Sequence, residues 1–293
     1  MIHIDKPACH QNSEAIMLFL LLLFAFFIPS AGATWSIVAV DPATGQIGGA
    51  GTSCVGTLDV SIIFGAAPGK GAVHAQAYFN EQGRDQAVEL LTQGVAPAEI
   101  ITTITGSSFD PQSSYRQYGI VDMQGRSAGF TGQNTTQWTG DIQGSVNGII
   151  YSAQGNILTG QPVVQRTFDR FAAQTSCDLT ANLWEALKAG RAESEGDSRC
   201  TPNGTPSDSA FIRVVDSAGN IIINLSVVGD SPEDPLDRLQ ILFDQWRATS
   251  PCPVAETPAA EPKQEQNTGC QFIAAPTSLI LCIPMLLAVR RRS

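Results

Sequence analysis

Four times in this chain two short extended runs are separated by a few turn-forming residues, and this pattern restricts the fold more than any other feature. TWSIVAVD (34–41) and QIGGAGTS (46–53) flank Pro42-Ala43-Thr44-Gly45, and the runs 60–64 and 71–77 flank Ala67-Pro68-Gly69-Lys70. The runs 117–123 and 127–132 flank Gln124-Gly125, and 210–228 is broken only at Ser217-Ala218-Gly219-Asn220. Extended runs joined by such short turns pair as antiparallel hairpins. A further strand is expected at 148–156. Glycines inside these strands imply close approach of backbone, often beside a site.

Between the hairpins the apolar period changes to that of a helix. Ala87, Val88, Leu90 and Leu91 mark a helix over 83–92 that Gly94 ends, and Pro97 opens a second before Ile100, Ile101 and Ile104. The segments 162–173, 179–189 and 235–249 read as three more. The order strands, helices, strands, helices, strands gives an α+β class with antiparallel sheets and helices packed outside them.

A length of 293 residues, 43% of them hydrophobic, allows one large domain or two small ones with an ordinary core. The net charge is −10. Setting aside Lys6, Arg290, Arg291 and Arg292 with Asp5 and Glu14 at the two ends leaves 13 bases against 25 acids. Such a field repels phosphate backbones, so nucleic acid is excluded as a partner. Seven cysteines form no CxxC pair and the three histidines are scattered, so neither a metal nor a cofactor is expected.

The two ends read as addresses. Thirteen apolar residues (16–28) are followed by Pro29, Ser30 and Ala31-Gly32-Ala33. The run is too short to span a bilayer, which needs about 20 residues, and it ends in a small-x-small cleavage signature. Residues 1–33 are therefore expected to be a signal peptide removed by signal peptidase. The segment 250–268, rich in Pro, Ala, Glu and Gln, reads as an extended linker. Gly269-Cys270, an apolar stretch over 272–289 and Arg290 to Arg292 follow. This tail (269–293) resembles bacterial C-terminal sorting signals, which implies a sorting protease and makes Cys270 an attachment point. The other reading is a plain membrane anchor. Either places the protein outside the cytoplasm, periplasmic or on the cell surface. In that setting Cys177 and Cys200, which flank the helix 179–189, are expected to form a disulfide. Cys54 is expected to be a buried thiol, and Cys252 is left over.

Five strings, in order, carry a family resemblance. They are Thr34-Trp35-Ser36-Ile37-Val38-Ala39; Gln76-Ala77 with Asn80, Arg84 and 87–91; 117–122 with Phe130-Thr131-Gly132; Gln154-Gly155-Asn156-Ile157-Leu158; and Asp197-Ser198-Arg199 with Ser209-Ala210. Together they resemble the DUF1028 family, whose fold belongs to the N-terminal-nucleophile (Ntn) hydrolases. The segment 200–208 departs from the family's short join by being longer and containing a cysteine. The resemblance covers 34 to about 228, within a domain expected over 34–249, and implies an αββα sandwich of two antiparallel sheets flanked by helices.

It also implies chemistry. In Ntn enzymes a first-residue hydroxyl attacks an amide while its own α-amine, titrating near ~8, accepts the proton. Cleavage after Ala33 would put Thr34 in that position. Asn156 and Asn80 are the side-chain candidates for the oxyanion donors, and Arg84 and Arg199 for clamping a substrate carboxylate. Asp197 either orients the α-ammonium or pairs with Arg199, Gln76 lines the pocket, and His74 is a packed core residue. The expected substrate is a small-molecule or peptide amide. The competing reading is a non-catalytic surface module that keeps the fold to bind an envelope ligand.

Overall fold

The computed structural model describes residues 33–229 and 231–253. The signal-peptide reading, apart from Ala33, and the readings of the linker beyond Pro253 and of the tail with Cys270 lie outside the described residues.

Thr34 opens β1 (Thr34–Asp41), which turns at Gly45 into β2 (Gln46–Ser53). β3 (Phe64–Ala67) and β4 (Gly71–Ala77) form the second hairpin, and α1 (Glu81–Thr92) and α2 (Pro97–Thr105) follow. Then come β5 (Arg116–Asp122), β6 (Ser127–Thr131), β7 (Trp138–Val146) and β8 (Ile149–Leu158). The chain continues through α3 (Pro162–Ala172), α4 (Leu179–Ala189), β9 (Ser209–Val215), β10 (Ile221–Val227) and α5 (Pro235–Thr249). Two antiparallel sheets result, one of order β10-β9-β2-β1-β8-β7 and one of order β3-β4-β5-β6.

The period of two along β1 explains the layering. Trp35, Ile37 and Ala39 join Phe171, Leu183, Trp184 and Phe243 in a core between the larger sheet and α3, α4 and α5. The alternate residues Ser36, Val38 and Val40 face the smaller sheet, where Val38 and Val40 meet Phe64, Ala72 and Val121. On the far side of that sheet, Val73, Ala75, Tyr118 and Ile120 pack on Ala87, Leu91, Ile100 and Ile104 of α1 and α2. The layers are helix, sheet, sheet, helix, as expected.

The sequence reading is corrected at several points. The run 60–64 is mainly a 3-10 turn (Val60–Ile63), because the Asp59 carboxylate accepts from Ser61 N–H and caps it; the strand starts at Phe64. β7 escaped the sequence reading because it is an edge strand with every residue at least partly exposed, so no apolar alternation marks it.

The expected bond between Cys177 and Cys200 does not form. The disulfides are Cys54–Cys200 and Cys177–Cys252. The segment after α4 runs against the end of β2, where Cys54 follows its last residue. The Asp197 carboxylate accepts from Cys54 N–H there at 2.7 Å. Cys177 instead lies beside the start of α4, which an Asp178–Arg247 ion pair at 2.7 Å ties to the end of α5. Cys252, three residues beyond α5, thereby reaches Cys177. It is neither left over nor part of a free linker, and Cys54 is not a thiol. Two disulfides are the chemistry of an oxidising compartment.

Candidate active site

Thr34 sits at the end of β1, flanked on one side by Ser53 of β2 and on the other by Asn156 of β8. It is buried, and both of its polar ends are held. Its N–H donates to Asn156 Oδ1 at 2.9 Å, and its hydroxyl donates to Ser53 Oγ at 3.1 Å. Ser53 Oγ in turn donates to the carbonyl of Ala33. Arg199 Nη2 approaches that same carbonyl at 3.5 Å and also donates to the Cys54 carbonyl. Asp197, fully buried, holds Arg199 through a 3.0 Å ion pair and accepts from Arg199 N–H at 2.9 Å. Burial raises the Asp197 carboxyl above its ordinary value, and the Arg199 contacts only partly oppose this.

Local strain positions these groups. Ile157, directly after Asn156, has φ +53, a left-handed conformation unusual for a β-branched residue. Its carbonyl accepts from Ser198 N–H at 3.1 Å and from Ser198 Oγ–H at 2.9 Å, which brings 197–199 to the end of β1. The Asp208 carboxylate closes the loop by accepting from Val55 and Gly56 N–H at 2.8 and 2.9 Å. The cysteine-containing segment 200–208 is thus strapped to the strand end beside Thr34.

A cavity of about 80 Å³ opens next to Thr34 and Ser53, and its walls include Val55, Leu58, Val60, Ile62, Gln76 and Phe79. A larger polar groove of about 400 Å³ lies elsewhere on the same loop, lined among others by Arg191, Glu193, Glu195 and Asp234. Its charges are largely engaged with protein groups, Arg191 with Asp234 and Asp237 and Glu195 with Arg166. The smaller cavity is the one that meets the candidate chemistry. Cys54, Cys200 and Asp208 cluster as metal ligands would, but the sulfurs are bonded to each other and Asp208 is taken by backbone N–H groups.

Behind Thr34 lies a closed polar layer between the sheets. Ser36 Oγ–H donates to Gln76 Oε1 at 2.6 Å, and Gln76 Nε2 donates to Gln117 Oε1 at 2.8 Å and to the Thr34 carbonyl at 3.4 Å. Gln154 Nε2 donates to Ser36 Oγ at 2.7 Å. With the Ser36 proton given to Gln76, the His74 Nδ1 contact at 2.9 Å has the ring donating to Ser36. His74 Nε2 has no hydrogen-bond partner among the described residues and faces Phe64 and Phe211. Full burial pulls the His74 pKa down to about 3, so the ring is neutral.

The sequence candidates therefore divide. Thr34, Asn156, Gln76, Asp197 and Arg199 come together. Asn156 presents its side-chain oxygen to the Thr34 N–H. Asn80 is the N-cap of α1, accepting from Gly83 N–H at 3.2 Å and donating to Asp110 Oδ2 at 3.1 Å. Arg84 sits on α1, pairs with Glu81 and Asp85, and donates to the Ile62 carbonyl at 2.7 Å, so it braces the cavity wall from behind. Sequence reasoning missed Ser53 and Ser36. Register could have found Ser53, since an eight-on-eight hairpin pairs Thr34 with Ser53.

Among curated proteins none matches the chain significantly. The crystal structure of protein SPO2555 from Silicibacter pomeroyi, itself described as DUF1028, superposes with a TM-score of 0.62 at 25% sequence identity, over 73% of this chain and 86% of that one. The family model described as "Family of unknown function (DUF1028)" matches residues 34–239, starting at the residue on which the site converges. The chain belongs to the DUF1028 family.

Proposed function

We propose that the mature protein is an exported amidohydrolase of the N-terminal-nucleophile type, with Thr34 as its first residue and nucleophile. One observation carries the reading: the nitrogen and the hydroxyl of Thr34 are each fixed by a dedicated side chain, Asn156 and Ser53, at the mouth of a cavity. A strand-forming threonine needs neither contact.

Cleavage after Ala33 turns the Thr34 nitrogen into an α-amine, and Asn156 Oδ1 orients it. The amine takes the proton as Thr34 Oγ1 attacks the substrate carbonyl, then passes it to the leaving nitrogen as the C–N bond breaks. Water attacks the resulting ester, the amine again takes the proton, and Thr34 Oγ1 leaves as a hydroxyl with release of the acid. Asp197 works through Arg199, fixing its guanidinium beside the reacting end of β1. The substrate is a small-molecule or peptide amide, and the 269–293 tail holds the domain at the envelope after signal peptidase and sorting-type processing.

The test is the N-terminus of the exported protein, read by intact mass and Edman degradation, together with amide turnover by wild type and Thr34→Ala. A start at Thr34 with turnover lost in the variant is expected. Residues retained before Thr34, or turnover unchanged in Thr34→Ala, overturns the reading in favour of a binding module.

A further inference from the structure

Beside Thr34 the molecule places two unlike features within one residue of each other. One is the cavity, whose walls are chiefly aliphatic and aromatic: Val55, Leu58, Val60, Ile62, Ile63 and Phe79. Its polar lining is confined to Thr34, Ser53 and Gln76, and no charged side chain lines it. The other is the pair of donors, Ser53 Oγ–H and Arg199 Nη2–H, directed at the Ala33 carbonyl.

We infer that this site takes an amide whose acyl part is a short, uncharged aliphatic group of about three or four carbons, and that Ser53 and Arg199 receive its carbonyl oxygen. The inference rests on the proposed role of Thr34 and names the substrate class of that site. A volume of about 80 Å³ is roughly half that of a ~150 Å³ apolar cavity able to hold a benzene ring, which sets the size. Each methylene moved from water into such a wall favours binding roughly fourfold. A carboxylate or ammonium on the acyl chain would be desolvated with no partner and is rejected.

The carbonyl follows from the chain itself. In the uncut chain the Ala33 carbonyl stands one bond before the Thr34 nitrogen, with both donors directed at it. Cleavage removes that carbonyl, and a substrate carbonyl attacked by Thr34 Oγ1 enters the same neighbourhood. As the Oγ1–C bond forms, the C=O electron pair moves onto that oxygen. It is held there by the Ser53 hydroxyl and the Arg199 guanidinium until it returns and the C–N bond breaks, the leaving nitrogen carrying off the Thr34 proton. A short-chain carboxylic acid and an amine are the products after hydrolysis.

The experiment uses the mature protein beginning at Thr34 and coumarin amides bearing acetyl, butyryl, octanoyl or glutaryl groups. In parallel, saturation-transfer NMR follows butyrate binding to Thr34→Ala and to the same variant with Ile62→Trp, which fills the cavity. The inference expects kcat/KM for butyryl at least tenfold above octanoyl and glutaryl, a kcat loss of about a hundredfold in Ser53→Ala, and butyrate binding abolished by Ile62→Trp. Leu58→Ala, at an exposed position, widens the mouth and raises octanoyl relative to butyryl. Equal or faster turnover of octanoyl or glutaryl leaves Thr34 as nucleophile and overturns the short-acyl assignment. Butyrate binding that Ile62→Trp abolishes, with no turnover of any amide, overturns the nucleophile and upholds the acyl pocket. Absence of both turnover and butyrate binding overturns the two together.

Discussion

The space between the two sheets has two ends built on opposite principles. At one end Val38, Val40, Ile47, Phe64, Ala72 and Val121 make an ordinary apolar contact. At the other, Ser36, His74, Gln76, Gln117 and Gln154 are buried polar side chains bonded chiefly to one another. Polar burial contributes little to stability, because each bond replaces one made with water, and a missing partner costs about 1–3 kcal/mol. The apolar end therefore stabilises the sandwich. The polar end fixes where the strands stand relative to each other and leads to Thr34, where the layer meets a cavity. Holding Gln76 between Ser36, Gln117 and the Thr34 carbonyl gives the end of β1 a rigid back wall.

Substitutions can break this contrast in order of size. The largest expected effect is on chemistry: Thr34→Ala lowers amide turnover by about 10³-fold or more, with its melting temperature within a few degrees of wild type. Next, Trp35→Ala, one residue away but facing the helices, costs about 3–5 kcal/mol by denaturant unfolding, while the protein that remains folded keeps its turnover. The pair thus separates neighbours on opposite faces of one strand.

Third, the disulfides divide in the same way. Loss of either, as Cys54→Ser with Cys200→Ser or Cys177→Ser with Cys252→Ser, costs about 2–4 kcal/mol. Only the first pair also lowers turnover, because Cys54 shares its N–H and carbonyl with Asp197 and Arg199. Equal activity loss in both pairs would break the comparison.

Fourth, His74 makes the polar end sensitive to acid. Its folded pKa, about 3, lies below the unfolded value near 6.5, so the unfolded chain binds the proton more readily. Stability from this group is complete above about pH 6.5 and falls as pH drops toward 3, by about 2 kcal/mol at pH 5. The groups that pack on the ring, Ser36, Gln154, Phe64 and Phe211, carry no charge to offset this. In His74→Gln that portion of the pH slope of the unfolding free energy disappears. An unchanged slope between pH 5 and 6.5 would place it in the carboxylates.

Much of this molecule was written in short-range order. The hairpin 34–41/46–53 needs only alternation and a Pro-Ala-Thr-Gly turn, and α5 needs only Pro235 at its start and a 3.6-residue period; both appear where those signals put them. An α+β class with helices outside antiparallel sheets followed from the same signals, and the four-layer order followed from the family resemblance. Thr34 drew attention because an expected cleavage signature meets a strand there and the family resemblance starts at it.

What the sequence could not determine was which distant groups share a place. Asn80 and Asn156 look alike as side chains, yet one caps a helix and the other holds Thr34, since Asn156 lies on β8, which pairs with β1, and Asn80 lies at the start of α1. Cys54, Cys177, Cys200 and Cys252 offer several pairings, and helix flanking suggested the wrong one. The choice depends on whether 197–200 folds back on β2 and whether the end of α5 reaches the start of α4. Local propensity acts over a few residues and fixes elements. Partner choice is decided by packing whole sheets and helices together, where contacts 120 to 150 residues apart in the chain, such as those of Thr34 with Asn156 and Cys54 with Cys200, form at once.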